Sequence, residues 1–138
     1  MSYMDSSAPR TLPDIEEHTR AFWTGGRNNE LLINQCQDCG NFIHPPVPMC
    51  PKCHSRRVMA TPTTGNAIVA SFTINYTPWV PDLEVPYVFA VVELIEQSGL
   101  YVSTQLVNTD IQLVTIGMRV RACFECLDDV YLPLFEPA

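Results

Sequence analysis

The 138-residue chain has no apolar run that could cross a membrane as a helix. Its longest purely apolar run, "YVFAVV" (87–92), is cut by Glu93, whereas a membrane helix needs roughly 20 apolar residues. The start, "MSYMDSSAPR", lacks the basic start and apolar stretch of a secretory signal. A cytoplasmic location is therefore expected, where thiols stay reduced and paired cysteines more often mean metal than disulfide. Basic residues are scarce: 8 Lys and Arg face 15 Asp and Glu, for a net charge of −7 and a pI near 4.7. Nucleic-acid binders show the opposite balance, because neutralising phosphates supplies much of their affinity. "KCHSRR" (52–57) is the one obvious basic patch. Catalytic motifs are missing too, with no nucleophile elbow, no phosphate-binding glycine loop and no HExxH. The adjacent acids Glu16-Glu17 and Asp128-Asp129 read as solvated surface. No catalytic residue is expected, and the sequence argues against an independent enzyme. There is no internal repeat and no low-complexity segment.

What is present begins with cysteine. Cys36-Gln37-Asp38-Cys39 and Cys50-Pro51-Lys52-Cys53 form C-x2-C-x10-C-x2-C. Four thiolates presented by two tight turns suit tetrahedral Zn2+, with Zn–S bonds of about 2.3 Å. Gly40, directly after the first pair, supplies the unusual backbone such a turn requires. With His54 the second pair also spells CxxCH, the c-type haem motif. Haem attachment needs export and would leave Cys36 and Cys39 without a role, so His54 is expected to be exposed beside the turn. The expected metal ligands are Cys36, Cys39, Cys50 and Cys53, holding a structural zinc with no open position. Cys123 and Cys126 fall in "GMRVRACFECLDD" (117–129), which alternates like a strand. Residues three apart on a strand face opposite sides, so this pair reads as ordinary strand cysteines.

The fold expectation is mainly β: an N-terminal helix, a small zinc ribbon and a C-terminal five-stranded OB-fold barrel, divided at 1–29, 30–64 and 65–138. Residues 1–10 are polar and expected to be mobile. "TLPDIEEHTRAFWTGG" (11–26) predicts a helix capped by Thr11 and stopped by Gly25-Gly26. Its stripe of Ile15, Phe22 and Trp23 either packs on the protein's own core or docks on a partner. "ELLINQC" (30–36) and "RRVMATPT" (56–63) read as strands entering and leaving the zinc site, joined by an ordered proline-rich loop. Such a ribbon buries too little apolar surface to fold without its metal. Strands then follow at 66–76, 87–95, 100–108 and 118–127, a spacing that indicates a small antiparallel barrel. Residues 109–117 could be helix, strand or turn, and the tail "YLPLFEPA" is expected along the surface. Candidate ligand-binding residues are Arg56 and Arg57, whose guanidinium groups match phosphate, and Trp79 in the stiff loop "TPWVPDLEVP" (77–86). Each has a plainer alternative: a solvated arginine pair, and an indole that caps the barrel.

The succession "FWTGG", "CQDCGNFIHPPVPMCPKCHS", "TGNAIVASFTI", "VPYVFAVVEL", "TIGMRVRACFE" and "LPLFEP" resembles a family of acyl-CoA-associated proteins. These carry a rubredoxin-like zinc ribbon followed by an OB-fold, and the resemblance runs from about residue 12 to 136. It implies a non-catalytic accessory subunit of a thiolase-like acyl-CoA enzyme, either a thiolase or a steroid side-chain aldolase, that shapes acyl-CoA access. A MaoC-like hydratase is a second implied partner. The absence of an attached hydratase domain suggests a free-standing subunit. Two alternatives stand beside this: a single-stranded nucleic-acid-binding module, and a stand-alone acyl-CoA-binding protein.

Overall fold

The computed structural model describes residues 11–138 and the backbone of Tyr3–Asp5. Most of the expectation of mobility for residues 1–10 lies outside the described residues. Within it, Tyr3–Asp5 forms strand β1, which pairs in parallel with the strand at 119–127.

The barrel is built by β5 (Asn66–Asn75), β6 (Tyr87–Leu94), β7 (Tyr101–Leu106), β8 (Arg119–Leu127) and β9 (Val130–Pro137). Pairing runs β8-β5-β6-β7-β9, and the β8–β9 pair closes the ring. Every contact is antiparallel except β7–β9, which is parallel. This is the five-stranded closed OB arrangement, and closure removes the exposed edges that an open sheet would leave. The period-2 pattern explains it: Val88, Ala90, Val92 and Leu94 on β6, and Val102, Thr104 and Leu106 on β7, all point inward and are buried. Phe124 and Phe135 fill the centre with no exposed surface.

Two expectations are corrected. The tail is no surface segment but β9, with Val130, Tyr131, Leu134 and Phe135 buried. Asp128 turns the hairpin with φ 55, a conformation that Asp tolerates. Pro133 has no N–H for the ladder, yet its carbonyl still accepts from Thr104 Oγ1 at 3.1 Å. The N-terminal helix is only α1 (Arg20–Thr24), continued by a 3-10 turn at Gly25–Asn28. Thr19 Oγ1 accepts from the Glu16 N–H at 3.0 Å and donates back to the Glu16 carbonyl. That local bonding replaces a longer helix with a turn at 16–19.

The ribbon is a three-stranded sheet ordered β3-β2-β4: β2 (Leu32–Cys36), β3 (Phe42–Ile43) and β4 (Val58–Pro62). It does not stand apart from the barrel. Leu31 and Ile33 belong to the barrel's core cluster, and Phe22 from α1 joins the same cluster at 8 % exposure. The ribbon's own cluster is Cys36, Ile43 and Cys50 with Val58 against it. Between β7 and β8, residues 109–117 hold a 3-10 turn at Ile111–Leu113, capped by Asp110 Oδ1 accepting from the Gln112 N–H at 2.9 Å.

Candidate functional site

The two CxxC turns are built alike. The Cys36 N–H donates to the Asn41 carbonyl, and Gly40 N–H returns to the Cys36 carbonyl, both at 2.9 Å. In the second turn, Cys50 N–H donates to Ser55 and His54 N–H returns to Cys50 at the same distances. Gly40 has φ +76 and His54 φ 64, so His54 occupies the left-handed position that glycine fills in the first turn. The CxxCH string thus places a histidine at a backbone position, with the side chain exposed.

These turns bring the Sγ atoms of Cys36, Cys39, Cys50 and Cys53 within 4.8 Å of one another. Cys36–Cys53 is 3.5 Å and Cys39–Cys50 3.7 Å. A zinc tetrahedron with bonds of about 2.3 Å has edges of about 3.8 Å, so the donor set fits a structural Zn2+. Backbone N–H groups favour thiolate: Cys39 N–H reaches Cys36 Sγ at 3.5 Å, and Lys52 N–H reaches Cys50 Sγ at 3.4 Å. The first of these contacts draws the Cys36 thiol down to about 6. Cys50 is also lowered, chiefly by backbone hydrogen bonding at Cys53. Four protein sulfurs leave no coordination position for substrate.

Arg57 is ion-paired within the ribbon. Its Nη1 is 2.5 Å from Asp38 Oδ1, and Asp38 Oδ2 accepts from Ser55 Oγ. The group cross-braces the two turns, with Asp38 inside the first and Ser55 and Arg57 after the second. Arg56 is exposed beside them. Trp79 lies in the loop between β5 and β6 with 72 % of its surface exposed, so it does not cap the barrel. Cys123 is buried and Cys126 half-buried. Burial pushes the Cys123 thiol up to about 12.

Sequence reasoning missed three features. Gln97, in the turn between β6 and β7, accepts from Phe42 N–H at 2.9 Å and donates to the Phe42 carbonyl at 3.1 Å, tying barrel to ribbon. His44 packs its ring 4.7 Å from Phe22, with Nδ1 buried and without a hydrogen-bond partner. Burial holds its imidazole down to about 4. The third is a groove of about 400 Å³ that runs over β6, β7 and the neighbouring β9, walled by Trp23 from α1 and by Leu83, Tyr87 and Phe89. Only the last left a signal in sequence: Phe89 is an aromatic at an outward position of an alternating strand.

A zinc ribbon whose first strand feeds the core of a closed OB barrel defines the class of protein. The chain matches the ChsH2 rubredoxin-like zinc ribbon domain at residues 23–58 and the ChsH2 C-terminal OB-fold domain at 60–125. It is 36% identical over 125 residues to the 3-oxo-4,17-pregnadiene-20-carboxyl-CoA hydratase alpha subunit of Mycobacterium tuberculosis. That match covers 91% of this chain but only 39% of the subunit's length. A DUF35 domain-containing scaffold protein of Methanocaldococcus jannaschii is 30% identical over 105 residues, covering 74% of this chain and 73% of the relative. Among solved structures, a chain of the Ltp2-ChsH2(DUF35) aldolase superposes with a TM-score of 0.79 at 34% identity, covering 91% of this chain and 98% of that one. The protein belongs to the DUF35 family. No helix among the described residues is long and apolar enough to cross a membrane.

Proposed function

We propose that this protein is a non-catalytic accessory subunit of a thiolase-like acyl-CoA enzyme, either a thiolase or a side-chain aldolase, which it stabilises and whose acyl-CoA access it shapes. The observation that carries this reading is the superposition on nearly the whole length of a chain from the Ltp2-ChsH2(DUF35) aldolase. Cys36, Cys39, Cys50 and Cys53 ligate a zinc that holds the ribbon's shape, and its closed sulfur shell assigns it no part in activating substrate. A MaoC-like hydratase is a further candidate partner, supported by the name of the mycobacterial relative. Cysteines kept as thiolate ligands fit work in a reducing cytoplasm.

The nucleic-acid reading loses ground on the barrel itself. Residues 58–118, which include OB strands β5, β6 and β7, contain no Lys or Arg, while Asp82, Glu84, Glu93, Glu96 and Asp110 lie within them. An OB face that tracks a phosphate backbone needs cations beside its aromatics.

Affinity purification of the tagged protein from its native cytoplasm tests the proposal. The expected result is a stoichiometric thiolase-like companion that loses stability and turnover when purified alone. Full turnover and full stability of that enzyme without this subunit would overturn it.

A further inference from the structure

The groove over β6, β7 and β9 has a chemistry of its own. Phe89 is 45 % exposed on β6, with Tyr87 two residues before it on the same face. Leu83 reaches the groove from the β5–β6 loop, and Trp23 closes it from the end of α1. The same loop holds Tyr76 and Trp79 out at 66 % and 72 % exposure. Large exposed aromatics concentrated on one strand face and its adjoining loop mark an interaction surface.

Charge narrows the occupant. The loop's only ionisable side chains of fixed charge are Asp82 and Glu84, and no cation occurs anywhere from residue 58 to 118. Phosphate-bearing ligands, single-stranded nucleic acid and anionic lipid surfaces all draw on cations, and neither β6, β7 nor the 76–86 loop supplies one. A second copy on a twofold axis would set the same acidic rim against itself. What remains complementary is a protein surface that is apolar at its centre and basic at its edge.

We propose that the outer face of β6–β7, with the 76–86 loop, is the docking surface for the partner enzyme, and that it receives an apolar patch flanked by Lys or Arg. This deepens the accessory-subunit reading and rests on it. Aromatic anchors at the centre of such contacts carry most of the affinity, and the rim charges set encounter rate and salt dependence.

Titration of the zinc-loaded protein with Ltp2, the aldolase chain of the similar complex, separates the possibilities. Four proteins are compared: wild type, Trp79→Ala, Phe89→Ala, and Asp82→Asn with Glu84→Gln. Arg56→Ala on the ribbon is the control. All substituted side chains are exposed, so unchanged circular dichroism and melting are expected. The aromatic variants are expected to weaken binding about tenfold or more, and the double variant to flatten its salt dependence, with the control unchanged. No binding by wild type would bring down the accessory reading and this surface with it. Wild-type binding that Trp79→Ala and Phe89→Ala leave within about twofold would overturn the surface alone. An unchanged salt dependence in the double variant would overturn the basic rim. Calorimetric binding of a long-chain acyl-CoA by this protein alone, lost in Phe89→Ala, would overturn the protein occupant in favour of a ligand.

Discussion

Gly26 sits where the 3-10 turn after α1 presses on the barrel. A methyl group added there would fall 2.6 Å from Phe124 Cδ1 and Cγ and 2.6 Å from Tyr131 Cβ. That is about 0.8 Å short of an ordinary 3.4 Å contact. Phe124 is fully buried and Tyr131 nearly so, and Cys126↔Tyr131 is a β8–β9 ladder pair, so the obstacle is core and sheet rather than a mobile side-chain end. Gly26→Ala must therefore lift the turn off the barrel or displace the Phe124 ring. Overpacking of this kind costs about 1–3 kcal/mol, or roughly 4–10 °C of melting temperature for a chain of this length. Thermal denaturation of the zinc-loaded protein, followed by circular dichroism, reads the loss. A double-mutant cycle then checks the mechanism, because Phe124→Leu removes ring atoms at the collision point. Added to Gly26→Ala, it should cost less than it does alone, with a favourable coupling of about 0.5 kcal/mol or more. An unchanged melting temperature, or strictly additive losses, would refute the argument that Gly26 is required for close approach.

Three further outcomes follow from the ribbon and its junction with the helix. His54→Gly should stabilise the zinc-loaded protein by about 0.5–1 kcal/mol, because histidine is strained at φ 64 and glycine is not; a lower melting temperature would contradict this. His44 has a folded-state value of about 4, below the ordinary 6.5. The unfolded chain therefore takes up the proton first as pH falls. The associated stability, fully present above pH 6.5, drains away towards pH 4. Between pH 7.5 and 5.5, wild type should lose about 1–2 kcal/mol more than His44→Phe in chemical denaturation at both pH values, and parallel losses would count against a buried neutral imidazole. Excess chelator, or Cys50→Ser, should abolish hydrogen-exchange protection across residues 36–57 while β5–β9 keep theirs, since the ribbon's own cluster is Cys36, Ile43 and Cys50. Loss of protection throughout the barrel would instead show that the metal sustains the whole fold.

The barrel strands were legible because burial alternates with period 2, and each inward residue of β6 and β7 announces its face. The metal centre was legible because four sulfurs at that spacing have few other uses. β9 was misread: the prolines at 133 and 137 suggested a broken surface tail, yet the Asp128 turn folds it back as a hairpin on β8 along its whole length. The helix was overextended because cap and dipole signals at Thr11–Glu17 were weighed without the competing bond between Thr19 and Glu16. The Arg57 brace and the His44 pocket arise only when distant segments meet, so no short window of sequence contains them. Gly25-Gly26 looked like a stop signal, yet Gly25 has an ordinary helical φ of −60. What Gly26 contributes is the absence of a side chain.

The paired hydrogen bonds between Gln97 and Phe42 have a mechanical consequence. One side-chain amide offers β3 both the acceptor and the donor that a neighbouring strand would have offered. Metal module and barrel are thereby held as two arms of one piece, with Leu31 and Ile33 as the rivets where they meet. A piece of that stiffness sets the distance between whatever touches one arm and whatever touches the other. Loosening it at Gln97 would leave both contact surfaces intact and spoil only the angle between them.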